Sequence, residues 1–203
     1  MASEVPDSCH NLTVGDVIAG VQPAEEFAWP SADYPAGPWF EAIFREQYPR
    51  IVAILKRLTG DSAAAEEIAA DVFCKLSRRP MFPDAGHQMA WLYRVAINAG
   101  LDAVRANSRR KRRERRAGSD DLQTAPAGAL DGLLRDERRA RVRSVLASLK
   151  PRDAELLLLR ADGMPYREVA SMIGVQPASV GSLLARAEAE FERKYRARYG
   201  DSV

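Results

Sequence analysis

The spacing of Ala170, Gly174 and Val180 constrains this chain more than any other feature. Two helices that cross tightly at a short turn need three things: a small residue where they touch, a turn residue that tolerates positive φ, and an apolar residue returned to the core. In "PYREVASMIGVQPASVGSLLARA", Pro165 to Ala187, Ala170 is the small residue, Gly174 the turn and Val180 the return. Val169, Ile173, Val175 and Leu184 supply further core positions. Pro177 stands in the first turn of the second helix, where its missing N–H is harmless. The segment predicts a helix-turn-helix, with an ordinary helical hairpin as the plainer alternative on the same turn.

The rest of the chain reads as helical too. Phe40, Ile43, Phe44, Ile51, Val52 and Leu55 recur near helical spacing, with Gly60 as a stop. Asp61 or Ser62 can cap a second helix whose apolar face is Ala65, Ile68, Ala69, Val72, Phe73 and Leu76. Pro80 and Pro83 predict a loop. Met89, Leu92, Val95, Ala96, Ala99, Leu101 and Val104 then mark a longer helix that runs into "RANSRRKRRERR", Arg105 to Arg116. The breaker-rich stretch "AGSDDLQTAPAGALDG" predicts a flexible linker over 117–132. A second helical set follows over 133–198, including a helix from Pro151 to Ala161 that ends near Gly163. No strand-like alternation competes. The fold class is therefore all-α: two helical bundles, 39–116 and 133–198, joined by a flexible linker, the C-terminal one containing the helix-turn-helix.

Charge is distributed unevenly. Residues 1–38 hold no Lys or Arg but six acids and five prolines. With weak periodicity, this extension is expected to be largely disordered. The chain is net +2, so the remaining residues carry +8, an asymmetry that points to nucleic acid. The acidic extension is expected to temper DNA binding by competing for the basic faces. Between Arg105 and Arg116, eight cations face only Glu114. Such density fits phosphate contact on DNA; RNA or an acidic protein surface would fit it as well. Glu66, Glu67 and Asp71 form an acidic edge beside an apolar face, which can dock a basic partner helix or simply be solvated. Cys9 and Cys74 match no zinc or redox spacing, and His10 and His87 are isolated, so no metal, cofactor or catalytic residue is expected. With no signal-peptide pattern and no long apolar run, membrane insertion is not expected and the location is expected to be cytoplasmic.

Two sets of residues resemble one known family. Leu149, Pro151, Arg152, Gly163, Tyr166, Glu168, Val169, Ala170, Ser179, Val180, Ser182, Arg186 and Ala187 are similar to the −35-reading domain of bacterial sigma factors. The resemblance is to the small extracytoplasmic-function type of the sigma-70 family. In "AAAEEIAADVFCKL", Glu66, Glu67, Ile68, Asp71, Val72 and Phe73 resemble its core-polymerase-binding helix, with Ala70 where Gln is usual. In "MAWLYRVAINAGLDAVRANSRR", Trp91, Leu92, Tyr93, Arg94, Ala96, Asn98, Asp102 and Arg105 resemble its −10 segment, with Ile97 where a basic residue is common. The likeness covers about 40–116 and 133–195, in the family's order.

The resemblance implies a sigma factor that binds core RNA polymerase and promoter DNA, with an anti-sigma factor as a further partner open to such a protein. Polymerase contact would fall to Glu66, Glu67, Asp71 and Phe73. The −10 element would be melted and read by Arg94, Asn98, Asp102, Arg105, Arg109 and Arg110. An unstacked strand calls for such positive charge and polar edge readers. The −35 element would be touched by Arg152, Arg167, Ala178, Ser179, Ser182 and Arg186. Trp91 is either core or part of the strand groove. The polymerase would perform the chemistry. Gly181, Leu183 and Glu188 stand where basic residues are common in the family, so weak −35 reading is expected. Leu183 either packs inward or meets a thymine methyl. Two rivals differ in class: a helix-turn-helix regulator independent of polymerase, and a sigma-like interaction or decoy protein.

Overall fold

The computed structural model describes residues 38–78, 82, 84–116 and 130–200. The acidic extension, apart from Pro38, and residues 117–129 of the expected linker lie outside the described residues. The described residues form seven helices. α1 (Pro38–Thr59), α2 (Ser62–Ser77) and α3 (Ala85–Arg116) make the first bundle. α4 (Leu130–Leu146), α5 (Pro151–Ala161), α6 (Tyr166–Ile173) and α7 (Pro177–Tyr199) make the second.

Local chemistry sets the boundaries. Asp61 is extended and its carboxylate accepts the Ala64 N–H at 3.2 Å, a cap typically worth ~1 kcal/mol. Pro151 and Pro177 sit in the first turns of α5 and α7. Gly174 closes α6 in the left-handed conformation at φ 68°, and the Val175 N–H then returns to the Ala170 carbonyl at 3.0 Å. A side chain other than glycine rarely adopts that backbone. One boundary differs from expectation. Residues 130–132 are helical, because the helix of the second set begins a turn earlier than the breaker-rich composition indicates.

The first core joins Ile51, Ile54, Leu55 and Leu58 of α1 to Ala65, Ala69, Val72 and Leu76 of α2 and Leu92, Ala96, Ile97 and Leu101 of α3, all sealed from solvent. α3 reaches α1 at Gly100, where an added Cβ would lie 2.7 Å from Leu58 Cδ2 and 2.8 Å from Leu55 Cδ2. The second core gathers Leu156 and Leu159, Val169 and Ala170, and Val180, Leu184 and Ala187. The two sets are not held apart. α3 packs against α4, α5 and α6, and the buried residues of both bundles form one contiguous cluster.

A candidate nucleic-acid interface on α3 and α7

Arg94, Asn98, Asp102 and Arg105 are spaced by four, four and three residues, so they share one stripe of α3. Arg94 donates through Nη2 to the Met172 carbonyl at 3.2 Å, and its Nε lies 3.7 Å from Glu155 Oε2. Asn98 is half-buried. Arg105 donates through Nε to the Ala147 carbonyl at 2.7 Å and through Nη1 to Asp102 Oδ1 at 2.8 Å. Asp102 is therefore placed to aim Arg105 rather than to meet a phosphate itself, where like charge would repel it. Trp91 is half-buried, tilted against Phe82 at 5.7 Å.

Past this stripe α3 leaves the core. The side chains of Arg109, Arg110, Lys111, Arg112, Arg113 and Arg116 are all exposed. Arg110 reaches only Asn107 at 3.2 Å and Glu114 at 3.7 Å, exposed contacts of the kind worth about 0–1 kcal/mol. An arm of this kind has little to lose by exchanging such contacts for phosphates.

Glu155 is the group the sequence reading missed. It is 5% exposed, its Oε1 has no hydrogen-bond partner among the described residues, and its Oε2 faces Arg94. Burial pushes its carboxyl pKa up, while Arg94 and Arg152 pull it back. A lone acid inside the apolar run "AELLLL" was the available signal. With a raised pKa, the folded chain holds the Glu155 proton at pH values where the unfolded chain has released it. Stability linked to Glu155 therefore falls as pH rises from the ordinary carboxylate range toward the folded pKa. Glu155→Leu should remove that fall and stabilise the chain at neutral pH by about 1 kcal/mol, since apolar replacements of buried ions are often favourable. Urea unfolding at pH 5 and pH 8 checks this; a leucine variant with the parent's pH slope contradicts it.

On α2, Glu67 and Asp71 are exposed, and Glu66 is half-buried in an ion pair with Lys56 at 3.0 Å. Phe73 must be reassigned. It is 2% exposed, with ring centroids 5.1 Å from Phe44 and 6.3 Å from Phe40. It anchors α2 to α1 and presents no surface to a partner, because its ring is spent on the core.

On α7, Ala178, Ser179, Ser182 and Arg186 are exposed together, and Ser182 Oγ donates to the Ser179 carbonyl at 3.0 Å. Arg152 and Arg167 are exposed in the first turns of α5 and α6. Leu183 is half-buried and packs against the core. Beside this face, Tyr166 is 45% exposed with the Arg160 guanidinium 5.6 Å above its ring, a pair the sequence reading did not single out. Among the described residues no cluster of three or more His, Cys, Asp or Glu could hold a metal, and no helix is long and apolar enough to cross a membrane.

Comparison with known proteins gives two family matches in this order along the chain. Sigma-70 region 2 matches residues 43–110, and Sigma-70, region 4 matches residues 139–191. The ECF RNA polymerase sigma factor SigK of Mycolicibacterium vanbaalenii is 27% identical over 146 residues, covering 70% of this chain and 74% of that one. The ECF RNA polymerase sigma factor SigE of Mycolicibacterium smegmatis is 28% identical over 177 residues, covering 85% and 67%. A solved sigma factor, RpoE of Bartonella quintana in complex with the anti-sigma factor NepR, aligns at TM-score 0.40 and 19% identity over 77% of this chain and 96% of that one. The two region matches together span more than half of the residues, and the chain belongs to the sigma-70 family of RNA polymerase sigma factors, in its ECF group.

Proposed function

We propose that this chain directs core RNA polymerase to specific promoters and assists their melting, with its partner contacts divided among three faces. The observation that carries the reading is the ordered pair of region 2 and region 4 matches. The exposed Glu67 and Asp71 edge of α2 takes the polymerase, with Glu66 behind it. Arg94, Asn98 and Arg105 take the −10 strand, and Arg109, Arg110 and the arm beyond them take its phosphates. Ser179, Ser182 and Arg186, flanked by Ala178, Arg152 and Arg167, take the −35 duplex. The chain performs no bond-making step of its own, and it works in the cytoplasm beside the polymerase. Copurification tests the reading: tagged chain is expected to retain core polymerase from a host lysate through a wash at moderate salt. A chain that retains promoter DNA but no polymerase would instead be a polymerase-independent helix-turn-helix regulator.

The −35 face reads weakly in this account, because its exposed residues are small or hydroxylic and Arg186 is the one cation on α7 among them. Leu183 packs against the core, and a charge there would disturb that packing, so the informative change is at Gly181 alone. A Cβ there meets Tyr166 at 3.9 Å, ordinary contact, and lysine in place of glycine gains helix propensity of up to ~1 kcal/mol. Gly181→Lys should strengthen binding of the full chain to a −35 duplex and steepen log K against log[salt] by about 1, as one added phosphate contact does. An unchanged slope in a salt titration would place this helix face away from DNA.

A further inference from the structure

One cleft lies outside the three partner faces. Its cavity is about 930 Å³, within the range of roughly 300–1,000 Å³ usual for small-ligand sites. The turn from α1 to α2 forms one wall, with Lys56, Arg57, Asp61 and Ser62. A face of α4 forms the other, where Arg138 and Val142, and Arg139 and Arg143, stand four residues apart. Ile54, Leu146 and Leu158 also line the cleft and are buried. With Val142, which is 38% exposed, they give it an apolar floor.

Charge in the cleft is unbalanced. Five cations line it against two acids, Asp61 and Asp136. Lys56 pairs with Glu66 at 3.0 Å, Arg57 with Asp162, and Arg139 with Asp136 at 3.3 Å. Arg138 and Arg143 make no hydrogen bond or ion pair among the described residues. Arg143 is half-buried all the same. A Cβ added to Gly60 would lie 2.6 Å from Arg143 Cζ and 2.8 and 2.9 Å from its two terminal nitrogens, so the bare glycine is what admits the guanidinium to the wall. Burial lowers the Arg143 pKa, Asp136 pulls it back up, and Arg139 lowers it further. The group stays charged at neutral pH, and a cation that gives up water without a partner carries a cost that a bound anion would offset.

We propose that this cleft binds a small organic polyphosphate of the nucleotide class, with its phosphates on Arg138 and Arg143 and its ring on the apolar floor. An arginine fork meets two phosphate oxygens at once, and two unpartnered forks suit linked phosphates. A flat ring would cover the exposed part of Val142, and Ser62 adds a hydroxyl for a ribose or a base edge. A cleft walled on two sides suits a small molecule better than a duplex backbone.

Titration of the full chain, without polymerase, tests this. The probes are fluorescently labelled ATP and GTP at physiological salt, read by anisotropy, with inorganic tripolyphosphate as the competitor. At least one nucleotide is expected to bind once per chain, and tripolyphosphate to compete at least about ten-fold less well, since it leaves the floor uncovered. Arg138→Ala and Arg143→Ala are each expected to weaken the nucleotide about ten-fold or more, as loss of a charge-assisted contact does. Val142→Asp should do the same by placing a like charge against the phosphates. Arg138 and Val142 are exposed, so these two variants remain informative if Arg143→Ala misfolds, with helicity by circular dichroism as the control. Arg109→Ala with Arg110→Ala, on the exposed arm of α3, should leave the affinity within two-fold. Absence of binding by both nucleotides overturns the proposal. So does an affinity that ignores Arg138 and Val142, one that follows the α3 arm instead, or tripolyphosphate that competes as well as the nucleotide.

Discussion

Glu67→Lys combined with Asp71→Lys is expected to weaken binding to core polymerase by about ten-fold or more. Both side chains are exposed on α2 and neither takes part in the core, so the cost to folding should stay within about 0.5 kcal/mol, the usual range for such surface changes. New like charges four residues apart add only a few tenths of a kcal/mol against the helix. At a basic partner surface the same changes turn two attractions into two repulsions. Exposed pairs are each worth up to about 1 kcal/mol, and like-charge juxtaposition at an interface costs more. A loss of about 1.4 kcal/mol is already ten-fold. Affinity by surface-immobilised core polymerase, with helicity by circular dichroism as the control, measures the effect. Undiminished affinity with intact helicity removes this edge from the polymerase contact. Phe73→Ala is not an equivalent test, because it would lower affinity merely by loosening α2.

Gly100→Leu is expected to cost about 3 kcal/mol or more and to lower the melting temperature by more than about 10 °C. Replacing a mid-helix glycine gains up to ~1 kcal/mol in propensity. Against this stands a sealed site: the first added carbon already falls 2.7 Å from Leu58 and 2.8 Å from Leu55, both fully buried. Three more carbons have no space without pushing α1 from α3, and Tyr93, which donates to Gln47 Oε1 at 2.8 Å between the same helices, would be disturbed with them. Overpacking therefore outweighs propensity. Gly100→Ala should be far milder, since one methyl sets the two terms nearly in balance. Thermal unfolding of both variants decides it; a leucine variant with the parent's melting temperature would show that α1 and α3 do not approach this closely.

What could be read from the sequence was what repeats locally. Ala170, Gly174 and Val180 announced their turn because small size, positive φ and apolar return are each properties of a single residue type. Asp61, Pro151 and Pro177 marked helix starts for the same reason. Pro49 shows the limit of local rules: it lies inside α1, yet the helix continues, held by Phe44 and Tyr48 before it and Ile51 and Leu55 after it, against α2 and α3. Phe73 was misplaced as a contact residue because a matching motif position cannot tell an outward ring from an inward one. Gly100 went unnoticed because a missing side chain signals close approach only when the opposite helix is known. Packing of the second bundle on α3 was hidden for a different reason. Its acceptors are the main-chain carbonyls of Ala147, Ala161 and Met172, and every residue has one, so nothing in their side chains advertises the joint.

Reconstituted transcription tests the central claim most directly. Core polymerase, this chain and a genomic promoter library are combined, and 5′ ends of the transcripts are mapped. The account predicts initiation at a discrete set of start sites that share −10 and −35 sequences, absent with core polymerase alone and lost with the Glu67→Lys, Asp71→Lys chain. Transcripts indistinguishable from those of core polymerase alone, from a chain that is folded and retains polymerase, would contradict it and leave a sigma-like binding protein in its place.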